Sequence, residues 1–193
     1  MIDYIKGEII EISPAHVVIE AGNIGYNINI SLITFSELNG AKNAKLFIYE
    51  AIREDAHLLF GFLSKDERSL FLLLISVSGV GANTARVILS LLSPAELQNA
   101  IISGNVSVLK SVKGIGGKTA ERIIVDLKDK VMKVEVSDKS GVVADNSIKN
   151  EAVAALVMLG FAQMPAQKAV GKVLEINPIL KIEQIIKQAL KLL

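Results

Sequence analysis

Val77-Ser78-Gly79-Val80-Gly81-Ala82-Asn83-Thr84-Ala85-Arg86-Val87-Ile88 returns 35 residues later as Val112-Lys113-Gly114-Ile115-Gly116-Gly117-Lys118-Thr119-Ala120-Glu121-Arg122-Ile123. In each copy Gly-(Val/Ile)-Gly follows a helical-looking segment and opens another, Ala82 to Leu91 in the first and Gly117 to Val131 in the second. Glycine permits positive φ and lets a ligand approach without a Cβ in the way. The first N–H groups of the second helix have no partner inside it, and with the positive end of the helix dipole they form an anion site. Val80 or Ile115, between the glycines, then points back to lock the two helices together. This is the logic of the helix-hairpin-helix, which holds a nucleic-acid phosphate with main-chain donors and reads no base sequence. One Gly-x-Gly alone would more simply be an ordinary helix connection. Two copies in register, with Thr-Ala matched as well, point to duplication of the whole helical unit. The candidate phosphate-binding residues are Gly79, Val80, Gly81, Gly114, Ile115 and Gly116, joined by Lys118 and Arg122, which share a helix face beside the second loop.

The 193 residues have room for one to three small domains. Hydrophobic content of 51% with only 5% aromatic and no Trp predicts cores of Ile, Leu, Val and Ala. Zero Cys excludes disulfides, thiolate zinc sites and Cys nucleophiles, and two His leave almost nothing for a histidine-based metal or acid/base site. No cofactor or metal is expected. No apolar run is long enough to cross a bilayer, and no basic segment followed by an apolar one opens the chain, so a cytoplasmic location is expected. The net charge of +1 hides a division along the chain. Residues 1–62 carry 4 basic and 8 acidic side chains, residues 63–133 carry 10 and 6, and residues 134–193 carry 7 and 6. The basic excess coincides with the repeated motif.

The fold class expected is α+β and multidomain. Residues 1–63 read as an OB-type β-barrel of five strands, Ile2 to Ile12, His16 to Ala21, Gly25 to Ile30, Ala44 to Arg53 and Leu58 to Phe62, separated by turn signals such as Ser13-Pro14 and Asn39-Gly40. Such barrels often stack single strands on exposed aromatics of a basic face. This segment is acidic, and core packing is the preferred reading for Tyr4, Tyr26, Phe35, Phe47, Tyr49, Phe60 and Phe62. Glu54 and Asp55 fall on a tight turn between the last two strands, where paired carboxylates are ordinarily a solvated loop.

Residues 64–133 read as the all-α tandem helix-hairpin-helix domain. Ser64-x-x-Glu67 predicts a capping box and Ser93-Pro94-x-Glu96 a second helix start. Residues 134–147 read as a flexible linker, and 148–193 as a three-helix bundle stopped by Gly160 and by Asn177-Pro178. Leu159 and Phe161 are either a docking patch or part of the bundle's own core.

In this order the chain resembles the RuvA family, the Holliday-junction DNA-binding subunits of the bacterial branch migration complex. The resemblance spans all three segments. It rests on Arg53-Glu54-Asp55-Ala56, Gly61-Phe62, Glu67-Arg68, the two hairpins, Glu151-Ala152-Val153-Ala154-Ala155-Leu156 and Leu159-Gly160-Phe161. It implies a homotetramer, sometimes an octamer, that holds a four-way junction open and planar. It also implies that Glu54 and Asp55 are acidic pins repelling phosphates at the crossover. The third segment is implied to bind RuvB, a hexameric ATPase, through Leu156, Leu159 and Phe161, and the nuclease RuvC is a further expected partner. The chain departs from the family at Asn83 and Gly117, where a Lys is frequent, so main-chain donors and Arg122 would carry a larger share of phosphate binding.

A glycosylase or nuclease is the rival reading. Asp126 and Asp129 are the best-placed carboxylates after the second hairpin, with Asp138 further on in the linker. Asp126 is more simply an intrahelical partner of Arg122 or Lys130, and no clustered carboxylates suit a metal. No phosphate loop of the Gly-x-x-x-x-Gly-Lys-Ser/Thr type is present. A non-catalytic subunit is expected. A protein-interaction adaptor using its hairpins only as structure is the second rival.

Overall fold

The computed structural model of the protein describes residues 1–138, 144–177 and 180–193. They form two compact units, Met1–Glu135 and Val136–Leu193.

The first unit opens with five strands, β1 (Tyr4–Ile12), β2 (His16–Ala21), β3 (Ile24–Asn29), β4 (Asn43–Ile52) and β5 (His57–Phe62). They close into a barrel in the order β1-β2-β3-β5-β4, the arrangement expected of an OB-type fold. All pairings are antiparallel except β3 with β5, where Ile28 meets Leu59 and Asn29 meets Phe60 in parallel. Alternation along the strands sends Ile5, Val17, Ile19, Ile28, Leu46 and Ile48 inside. Gly7 allows the backbone of β1 to pass close to β2, since a Cβ there would collide with the Glu20 carbonyl.

Helix α1 (Leu32–Leu38), between β3 and β4, has no counterpart in the sequence expectation. Ser31 caps it by accepting the Thr34 N–H. Seven residues that include Ile33, Thr34 and Phe35 carry no helical signal strong enough to outweigh their β propensity.

Helices α2 (Lys65–Ile75), α3 (Ala82–Leu91), α4 (Pro94–Ile102), α5 (Val106–Lys110) and α6 (Gly117–Asp138) follow. Their apolar faces share one core with Phe60 and Phe62 of β5, through Phe71, Leu74, Ile88, Leu97, Ile101, Leu109 and Ile123. Ser93 and Glu96 make the full reciprocal capping box. At Ser64 the box is only half formed: its hydroxyl accepts the Glu67 N–H, while the Glu67 carboxylate turns away to the Leu63 N–H at 3.0 Å and to the Ser31 and Thr34 hydroxyls at 3.4 Å.

The second unit packs α7 (Ala144–Met158), α8 (Gln163–Ile176) and α9 (Ile182–Ala189) around Ala152, Leu156, Val170, Val173 and Ile185. The three-helix expectation stands. Between the helical domain and the bundle lies the linker, which helical backbone enters from α6 as far as Asp138 and leaves into α7 from Ala144. The remainder, 139–143, and the Pro178 stop signal lie outside the described residues. Among the described residues no helix is long and apolar enough to cross a membrane.

Candidate nucleic-acid interface

The two hairpins are copies in geometry as well as in sequence. Gly79 and Gly114 have φ of 92° and 94°, a conformation that only glycine adopts without strain. Next to them, the Val80 N–H donates to the Val77 carbonyl at 3.0 Å and the Ile115 N–H to the Val112 carbonyl at 3.1 Å. The Val80 and Ile115 side chains are both buried, as are Val77 and Val112 below them. Ser76 and Ser111 each turn a hydroxyl back onto the preceding helix, to Leu73 and Val108 carbonyls at 2.7 Å.

The helices that follow also start alike. Ala85 N–H bonds the Gly81 carbonyl at 2.9 Å and Ala120 N–H bonds the Gly116 carbonyl at 3.0 Å. The amides of Ala82, Asn83 and Thr84, and of Gly117, Lys118 and Thr119, therefore precede the first helical acceptor and point out of the helix end. Gly81 at the first helix cap supplies no side-chain acceptor for them. Val80 and Ile115 are thus locking residues: their N–H groups are already used inside the turn, which moves the available donors two to four residues onward. Gly81 and Gly116 have ordinary φ, and a Cβ at either would meet nothing of the protein within 4 Å. The fold does not require glycine there, whereas a closely approaching ligand would.

Lys118 and Arg122 are exposed beside the second loop. Arg122 Nε lies 3.6 Å from Asp126 Oδ2, the intrahelical pair expected for that aspartate. Two further basic residues of the helical segment are committed to the barrel. Arg68 Nη1 meets Asp3 Oδ1 at 2.8 Å and the Asp3 carbonyl at 2.9 Å, and Arg86 Nη1 reaches the Ala15 and Ile30 carbonyls at 2.9 and 3.3 Å. In sequence Arg86 looks like a phosphate ligand on a hairpin helix; only the occupant of position 121 in the second copy, a Glu, hints that it is not.

Glu54 and Asp55 are exposed at the tip of the β4–β5 hairpin, closed by the Arg53 N–H on the Ala56 carbonyl at 2.8 Å. Among the described residues no group of His, Asp and Glu could hold a metal ion.

Residues 1–61 match the family described as RuvA N terminal domain, 71–129 the SAM-like helix-hairpin-helix tandem, and 147–193 the RuvA C-terminal domain. Curated relatives named "Holliday junction branch migration complex subunit RuvA" include those of Bacteroides thetaiotaomicron, 54% identical, and Porphyromonas gingivalis, 48% identical. The alignments cover 99% of both chains in the first case and 100% in the second. The chain belongs to the RuvA family.

At the end of α7, Leu156 is not an exposed docking residue. Gly160, at φ 99°, ends the helix with its N–H on the Val157 carbonyl at 3.0 Å and the Phe161 N–H on the Leu156 carbonyl at 3.1 Å. This double closure is a Schellman motif, in which apolar side chains at the two ends of the longer bond pack together. Leu156 is accordingly buried in the bundle core and Phe161 packs half-buried against it. Leu159 is exposed, as are Met158 and Met164 on either side, neither of which stands out in the sequence. Their signal is the helical period: with Leu156 inward, 157 to 159 turn away from the core.

Proposed function

We propose that the chain is the junction-binding subunit of a branch migration complex: it recognises four-way Holliday junctions, holds them open and planar, and loads and stimulates the RuvB ATPase without catalysis of its own. The observation that carries this reading is the paired hairpins, each offering unused helix-start amides beside a glycine open to the outside. They suit phosphates of any sequence. Gly79, Gly81, Gly114 and Gly116 with their neighbouring amides, Lys118 and Arg122 would hold the arms, and Val80 and Ile115 would brace the loops.

Glu54 and Asp55 would act as the acidic pin. Attraction along arms combined with repulsion at a centre selects a branched shape over a plain duplex. A homotetramer, or an octamer of two such rings, would match four DNA arms with fourfold symmetry. Leu159, with Met158 and Met164, is the surface offered to RuvB, and RuvC would join the assembled junction. The work would be done in the cytoplasm. Domain limits at 63, 133 and 147 are proposed as the functional divisions.

A gel-shift titration against a four-way junction and a linear duplex of the same arm sequences tests the reading. A junction preference of about tenfold or more, equivalent to 1.4 kcal/mol, is expected. Lys118→Ala and Arg122→Ala should weaken binding to junctions of different sequence alike. Equal affinity for junction and duplex would reduce the hairpins to general duplex binders, and absence of binding would favour the adaptor.

A further inference from the structure

The outer face of β1 and β4 carries side chains that the hairpins do not use. Ile5, Leu46 and Ile48 point into the barrel, which leaves Tyr4, Lys6, Lys45 and Phe47 on the outside. The antiparallel register sets Tyr4 opposite Phe47 and Lys6 opposite Lys45. Lys45 Nζ lies 4.3 Å from the Tyr4 ring centroid and 5.1 Å from that of Phe47. From α2, Lys65 Nζ and the Arg68 guanidinium carbon reach over the Phe47 ring at 5.8 and 5.5 Å. Two carboxylates border the group: Asp3, held by Arg68 at 2.8 Å, and Glu8, which ends the row beyond Lys6. Although the barrel segment is acidic, four cations gather on this one face around two rings.

Tyr4 keeps 51% of its surface exposed, and the Lys45 ammonium that lies over its ring is a mobile group that a planar partner would displace onto its own phosphate. Lysines gathered at a solvent-exposed aromatic ring are the chemistry of single-strand sites, where the ring stacks a base and the cations track the backbone. A duplex cannot use the ring, because its bases are already stacked. An acidic peptide would neutralise the lysines and leave the Tyr4 ring with no flat surface to cover it.

We propose that this face of the barrel binds single-stranded nucleic acid, with an unpaired base stacked on Tyr4 and adjoining phosphates held by Lys6, Lys45 and Lys65. The site is separate from the hairpins and does not depend on junction recognition.

Fluorescence anisotropy of the full chain with a labelled oligothymidylate strand tests it. Tyr4→Ala should weaken binding about tenfold, the scale of one base stack removed, while Tyr4→Phe keeps the affinity. Lys6→Ala with Lys45→Ala should lower the salt slope by roughly 0.7 for each phosphate no longer neutralised. The proposal is overturned if the wild type does not bind the strand. It is also overturned if only Lys118→Ala with Arg122→Ala abolishes binding, which would put the strand on the hairpins. A changed assembly mass for Tyr4→Ala with unaltered strand affinity would overturn it too, by making the face an interface between protein copies. Thermal denaturation of each variant separates a binding defect from a folding defect, and Tyr4, being exposed, can be truncated with little effect on the core.

Discussion

At the scale of single residues, the two glycines of each hairpin do different jobs. Gly79 and Gly114 hold a left-handed backbone, and Gly81 and Gly116 leave room outside it. Gly79→Ala should therefore destabilise the chain by about 1 to 2 kcal/mol through backbone strain, seen as a lower urea midpoint. Gly81→Ala should leave that midpoint within about 0.5 kcal/mol and lower junction affinity in a gel shift, because the new methyl occupies the approach path. Sequence alone makes all four glycines equal candidates, since a Gly-x-Gly pattern does not say which residue has the unusual φ.

Glu67 is a second residue whose role the sequence obscures. It sits at the third position of a capping box, yet its carboxylate is buried against α1 and joins the barrel to α2. Burial pushes its pKa above the usual glutamate value, although the Leu63 N–H and the Ser31 and Thr34 hydroxyls oppose the shift. The folded chain then keeps a proton that the unfolded chain releases. Its contribution to stability is fully present below the ordinary glutamate pKa and is lost as pH rises through the raised folded value. Asp3, beside Arg68, is shifted the other way and contributes the opposite slope. Comparing Glu67→Gln with the wild type isolates the first effect. Urea midpoints at acidic and neutral pH should show the wild type losing more stability than the variant as pH rises.

At the scale of elements, the strands and the long helices are legible because their signals are local. Alternation, turn residues and caps place all five strands and helix α3 within a residue or two of where they lie. What the sequence hides depends on partners distant in the chain: the short helix α1, held from across the fold by the Ser90 hydroxyl on the Leu32 N–H at 3.1 Å, and the commitment of Arg86 to the barrel. The end of α7 is an intermediate case. Gly160 announces the stop, but the Schellman closure that draws Leu156 inward and Phe161 onto the core comes from three-dimensional geometry. Leu156→Ala should cost about 2 to 5 kcal/mol as a buried leucine, read by urea denaturation with circular dichroism. Leu159→Ala should change stability by less than about 0.5 kcal/mol and weaken capture of RuvB.

At the scale of the molecule, charge is sorted along the chain. The barrel segment is acidic and the helical segment basic, and the structure sharpens this contrast at specific places. Arg68 and Arg86 turn to the barrel, Lys118 and Arg122 face outward, and Glu54 and Asp55 stand on a hairpin tip with no basic partner among the described residues. If the tip repels phosphates at a junction centre, Glu54→Gln with Asp55→Asn should raise duplex affinity. The junction preference should narrow by about fivefold, on the order of 1 kcal/mol, in the same gel-shift assay at low salt.

The closure of the barrel bears on how copies of this chain tolerate crowding. Every strand of β1-β2-β3-β5-β4 has a neighbour on both sides, although β3 meets β5 over only two residue pairs, so little of the sheet is left as an edge along which another chain could add a strand. Molecules concentrated on one stretch of DNA would meet there mostly through side chains. Their association would then be reversible, adjustable by single substitutions, and protected from the runaway strand pairing that ends in aggregates.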